Sequence, residues 1–133
     1  MTLKAHPLLV RFLVLAGMKS TKVRIKENSP LARIAAFRLG YTQIAMVFGR
    51  TIHLHNTTAK RFIRQRSWLL HELKHVEQYE RLGTVLFLWK YLVENLRNGY
   101  YNNAFEVEAR AAEQDHSLYL KYDLSDYAGL MVD

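Results

Sequence analysis

The chain has 133 residues, half of them apolar and 23% charged, which suits one globular domain spanning residues 1–133. A domain of that size buries roughly two thirds of its unfolded surface and folds without covalent staples. With no cysteine, disulfides, thiolate metal sites and iron–sulfur centres are excluded, so any metal must be held by His, Asp, Glu or water, a donor set that suits zinc.

The formal charge of +7 raises the question of a polyanion partner. The basic residues come in short groups, Lys22, Arg24 and Lys26, then Lys60, Arg61, Arg64 and Arg66. No nucleic-acid-binding signature accompanies them, so they read as a solvated basic face.

Residues 8–16 form an apolar run interrupted by Arg11, short of the ~20 residues that span a bilayer and without a clear small-x-small cleavage site. A helix over residues 7–18, docked on the core or lying on a membrane surface, is expected, and cytoplasmic is the default location. Residues 22–27 alternate like a strand, with Val23 and Ile25 on one face. Ser29-Pro30 starts a helix that Gly40 ends. Residues 43–48 and 51–55 read as strands joined by Gly49-Arg50, a type II′ hairpin. Helices follow over 67–82, 85–98 and 104–121, started by Ser67, Thr84 and Asn103 and punctuated by Gly83 and Gly99. The second, too charged at Lys90 and Glu94 to span a membrane, is expected to pack through Val85, Leu88, Trp89, Leu92 and Leu96. The sum is an α+β domain, a small antiparallel or mixed sheet with helices beside it.

Residues 71–75 read His-Glu-Leu-Lys-His. Four residues of helix turn through about 400°, so His71 and His75 stack one turn apart and can share one ion. Glu72 lies about 100° around the helix, beside the ion rather than on it, where it can take a proton from metal-bound water. Trp68, Leu69, Leu73 and Val76 form the adjoining apolar arc, and Lys74, Glu77, Gln78 and Arg81 the solvent stripe. The plain alternative is a pair of structural histidines on a helix.

A zinc hydrolase needs a third protein ligand and an open fourth position. Glu94, Glu106 and Glu108 compete. Glu94 sits among the surface positions of its helix, four residues after Lys90. Phe105, Ala109, Ala112 and Leu120 mark an inner face of the following helix, which also carries Glu106, Glu113 and His116. Glu108 falls with Arg110, Gln114 and Asp115 on the outer face, so helix geometry favours Glu106.

On these residues the sequence resembles the zincin metallopeptidases of the gluzincin kind, in which a later helix supplies a glutamate ligand. Residues 105–110, Phe-Glu-Val-Glu-Ala-Arg, resemble the Glu-x-x-Ala-Asp/Asn element of the membrane CAAX-protease and phage-repressor-cleaving families, whose first glutamate, here Glu106, is the ligand. Residues 71–78 taken with 103–110 are most similar to small bacterial HExxH metallopeptidase-domain proteins. The thermolysin-like spacing of about twenty residues points instead to Glu94, 19 residues past His75. The resemblance covers about residues 41–113. It departs at Arg110, where the larger families place an Asp or Asn that orients a histidine; Glu113 is the substitute on offer. The resemblance implies a minimal zincin-like domain with zinc on His71, His75 and Glu106, Glu72 as general base, and a peptide or protein substrate. Two rivals are a zincin scaffold that binds metal and a partner without turnover, and a membrane-surface protein anchored by residues 7–18.

Lesser candidates have plainer readings. His53 and His55 lie on a strand face that can line a cleft. Tyr79, Tyr100 and Tyr101 can each donate to an oxyanion or simply pack. His116 is expected in the core, as are Phe87, Leu88, Trp89 and Leu92.

Overall fold

The computed structural model describes residues 20–131. The helix expected over 7–18 lies outside them. The fold is α+β, with small sheets packed against helices.

The alternating run at 22–27 divides into β1 (Thr21–Lys22) and β2 (Arg24–Lys26), which pair with different strands. Val23, between them, is buried. Helix α1 (Pro30–Leu39) starts and stops where the sequence signals it. Ser29 Oγ accepts from the Ala32 N–H at 3.3 Å, Pro30 opens the helix, and Gly40 closes it at φ 75°. β3 (Ile44–Phe48) and β4 (Thr51–His55) pair antiparallel, with Phe48 opposite Thr51. Of the two turn residues only Gly49 has a positive φ, 64°, as a type II′ turn requires. β2 joins β4 in parallel, so the order β2-β4-β3 puts β4 in the centre and β3 at an edge.

The buried side chains of β4, Ile52 and Leu54, belong to one core with Leu69, Leu70, Leu73 and Val76 of α3 (Arg66–Leu82). His53 points to the other face, where its Nδ1 and Ser29 Oγ lie 2.7 Å apart. Between hairpin and α3 stands a helix that the pattern did not announce, α2 (Ala59–Arg64). It is too short for periodicity to register. Thr58 Oγ1 caps it by accepting from the Arg61 N–H at 3.1 Å, and Phe62 and Ile63 pin it to the core.

α4 (Thr84–Asn102) breaks at Gly99, whose φ of 76° and ψ of 170° lie outside the helical region. Its packing differs from expectation. Val85, Leu88, Trp89, Leu92 and Leu96 are all exposed, and the helix instead turns Phe87 and Tyr91 inward. The reason is the aromatic cluster that this rotation completes: Phe87 meets Tyr79 at 4.2 Å and Phe105 at 5.1 Å between ring centroids. Aromatic pairs add geometric preference to a large buried area, and a helix with apolar residues on most sides leaves its phase to such partners.

The single helix expected over 104–121 does not form. α5 (Ala104–Ala111) passes into a 3₁₀ turn (Ala112–Gln114), then α6 (Leu118–Lys121), β5 (Tyr122–Asp123) and a last 3₁₀ helix (Ser125–Leu130). Asp115 breaks it, its Oδ1 accepting from both the N–H and the hydroxyl of Ser117, at 3.1 and 2.5 Å. His116 is consequently exposed and stacks on Tyr119 rather than entering the core, and Leu120 is exposed too. β5 returns to pair with β1 in parallel.

Asn103, completely buried, fastens α5 to α4. Its Oδ1 accepts from the Phe105 N–H at 2.9 Å, and its Nδ2 donates to Tyr91 O at 3.2 Å and Asn95 Oδ1 at 2.8 Å. Asn103→Ala is expected to lower stability by about 2–3 kcal/mol, since a cap and buried polar partners are lost together. The exposed neighbour Asn102→Ala should stay within about 0.5 kcal/mol, and urea denaturation of the two variants distinguishes them.

Candidate metal centre

α3 carries His71 and His75 one turn apart, and α5 brings Glu106 against both. Glu106 Oε2 lies 3.0 Å from His71 Nε2, and Oε1 lies 3.1 Å from His75 Nε2. One ligand atom from each of the three residues falls within 4.8 Å of the others. Ala109, buried one turn after Glu106, leaves room for the two helices to meet. Two imidazole nitrogens and a carboxylate beside a cleft of about 640 Å³ are a group that could hold a divalent cation.

The outer nitrogens of the histidines are also engaged. His75 Nδ1 lies 2.8 Å from Gln78 Oε1. The Gln78 amide is oriented by its own Nε2, which donates to Phe105 O at 3.0 Å and Glu108 Oε1 at 3.1 Å. An amide oxygen only accepts, so a proton sits on His75 Nδ1, and once the ring gives up its other proton the Nε2 lone pair is the one that faces the cleft. His71 Nδ1 has Glu113 Oε2 3.6 Å away. Carboxylate or amide partners behind ligand histidines hold their tautomer and raise their basicity.

Gln78 does not belong to the solvent stripe; it is fully buried. The signal was present, since Gln78 is seven residues past His71 and so on its face of the helix. Tyr91 had no such signal: its hydroxyl donates to Glu106 Oε1 at 2.8 Å from a helix whose phase depends on the aromatic cluster.

The other carboxylates are placed elsewhere. Glu94, rather than pairing with Lys90, accepts from Asn98 Nδ2 at 2.7 Å and the Ala104 N–H at 3.3 Å. Glu108 is not a plain surface group, because it holds Gln78 and accepts from Arg81 at 3.2 Å. Arg110 turns away from the histidines, donating to Tyr101 O with its guanidinium over the Tyr101 ring. Tyr79 donates to Val47 O at 3.1 Å, and burial pushes its pKa up to about 12. Tyr100 lines the cleft, with Glu72 and Glu106 also there. The cleft-lining strand is β3, through residues 44–47, and not the strand bearing His53 and His55.

Glu72 is buried on the cleft wall, and among the described residues no hydrogen-bond donor reaches its carboxylate. Burial pushes its pKa up to about 7, against the opposing pull of His75 and His71. For Glu106 burial acts the same way, yet the contacts from His71 and His75 prevail and hold its pKa far below the usual carboxylate range. Burial would lower His75, but the Glu106 contact and the charges of Glu72 and Glu106 outweigh it and raise the pKa to about 9. His71 is raised by the same partners against the same burial.

The chain matches no protein-family model, no curated protein and no solved structure.

The metal-free protein follows from these shifts. A histidine whose folded pKa exceeds the unfolded 6.5 contributes stability that is fully present below pH 6.5 and is lost as pH rises through about 9. Glu72, favouring its protonated form, adds loss in the same direction as pH rises from 4.5 through about 7. Melting temperatures of chelator-treated protein should therefore fall steadily between pH 6.5 and 9; a rise across that window would contradict the assignment.

Proposed function

We propose that the chain is a zinc-dependent peptidase in which His71, His75 and Glu106 hold the metal and Glu72 handles the proton. The observation that carries this reading is the convergence of both Nε2 atoms and both Glu106 oxygens at one point of a cleft, with an uncoordinated, buried carboxylate beside it. Zinc rather than calcium or magnesium suits a donor set with two imidazoles and no thiolate. A zinc ion held there supplies Lewis acidity, acidifying water toward a pKa of ~7 and polarising a carbonyl.

The chain's own residues divide the remaining work. Glu72 takes the proton of the attacking water on its carboxylate and returns it to the leaving amine. Its freedom from other donors keeps both oxygens available, and a dication nearby would pull its pKa back down and leave it an ionised base at neutral pH. Gln78 and Glu113 orient the two histidines, and Tyr91 orients Glu106. Tyr100 stands where it can donate to an oxyanion.

A peptide substrate is supported by the edge strand β3. Its residues 44–47 run along the cleft, and an extended chain can pair with such an edge through main-chain hydrogen bonds. The resemblance to gluzincins points to the same substrate class.

Zinc affinity by chelator competition and hydrolysis of a fluorogenic peptide mixture test the roles separately. Glu72→Gln should keep zinc and the fold and lose hydrolysis by about a thousandfold or more. Glu106→Gln should weaken zinc by tens-fold, roughly, because an amide is a poorer ligand than a carboxylate. Gln78→Ala should cost about tenfold in affinity, since it frees the His75 ring and loosens the tie from α3 to α5. Wild-type turnover by Glu72→Gln, or zinc retention unaltered in Glu106→Gln, would overturn the assignment.

A further inference from the structure

One face of α4 is apolar and uncovered. At about 100° per residue, Val85, Leu88, Trp89, Leu92 and Leu96 fall in a single arc. They are 83%, 42%, 63%, 50% and 79% exposed. Phe87 and Tyr91 leave the opposite side of the helix for the aromatic cluster, so the arc faces away from the core.

The charges on α4 are sorted around that arc. Lys90 and Arg97, both exposed, lie together along one side of it, beyond Leu86. Glu94, the one acid of the helix, lies on the core side and is bonded to Asn98 and the Ala104 N–H. Leu88 also lines the cleft, and Leu39 and Tyr41, 56% and 51% exposed, line it from the opposite wall. The wider sequence has the same bias: residues 28–71 contain seven Lys or Arg and no Asp or Glu.

We infer that the outer face of α4 docks on an anionic lipid bilayer, with Val85, Trp89, Leu92 and Leu96 at the acyl boundary and Lys90 and Arg97 reaching the headgroups. An apolar arc with cations along one edge and the acid on the far side is a pattern of a helix lying in the membrane interface, where long basic side chains reach back to the headgroups. The negative potential of an anionic surface complements Lys90, Arg97 and the net charge of +7. A second copy of this chain would bring +7 against +7, and a nucleic acid offers nothing to an aliphatic face. This contact is distinct from the metal centre and from the run at residues 8–16.

Flotation of the full-length protein with phosphatidylcholine vesicles, with and without added phosphatidylserine, tests it. The protein should float with the phosphatidylserine vesicles, and binding should weaken as salt is added. Trp89→Glu with Leu96→Glu, and separately Lys90→Glu with Arg97→Glu, should each reduce partitioning by about tenfold or more. All four positions are exposed, so melting temperatures should stay at the parent value. Failure to float with phosphatidylserine vesicles overturns the inference. So does parental flotation of the Trp89/Leu96 variant, whether Leu9→Glu with Leu13→Glu abolishes binding instead or the variant merely splits a dimer. No metal or turnover enters the readout, so the result is independent of the peptidase reading.

Discussion

Glu106 brings a carboxylate to a place that is almost closed to water, and an unpaired charge there would cost several kcal/mol. His71 and His75 from α3 and the Tyr91 hydroxyl from α4 meet that charge, so three helices must arrive at one point. Much of the remaining polar structure keeps them there. Asn103 ties α4 to α5, and Gln78 ties α3 to α5 through Phe105 and Glu108. Each of these buried amides finds partners for its oxygen and its nitrogen, the condition under which a buried network rigidifies rather than weakens a core.

The same arrangement explains why α3 has three kinds of side chain on its inner half. Leu69, Leu70, Leu73 and Val76 supply the core under β4, the histidines and Glu72 face the cleft, and Gln78 and Tyr79 brace what lies behind them. Metal-free, the cluster is an ion-pair network in which histidine protons balance Glu106. A dication would take the same nitrogens, so protons and metal compete for one place.

The exposed arc of α4 and the buried Phe87–Tyr91 face are two sides of one decision. Turning Phe87 and Tyr91 inward satisfies Glu106 through Tyr91 and completes the cluster with Tyr79 and Phe105, and it leaves Trp89 and its aliphatic neighbours outside. A helix with a more strictly amphipathic pattern would have had no such choice to make.

What the sequence determined by itself was local. His71, Glu72 and His75 stand as they do because helical phase is a property of consecutive residues, and the same holds for the Ser29-Pro30 start, the Gly40 stop and the Gly49 turn. The α+β class was legible for the same reason, and Glu106 was favoured over its rivals because one turn of helix separates it from Ala109. Tertiary structure decided the rest: which side of α4 faces the core, where the last helix breaks, and what stands behind the histidines. Those outcomes turn on partners remote in sequence, Tyr91 from Glu106 and Gln78 from Phe105, and no local periodicity carries information about a partner that only folding brings near.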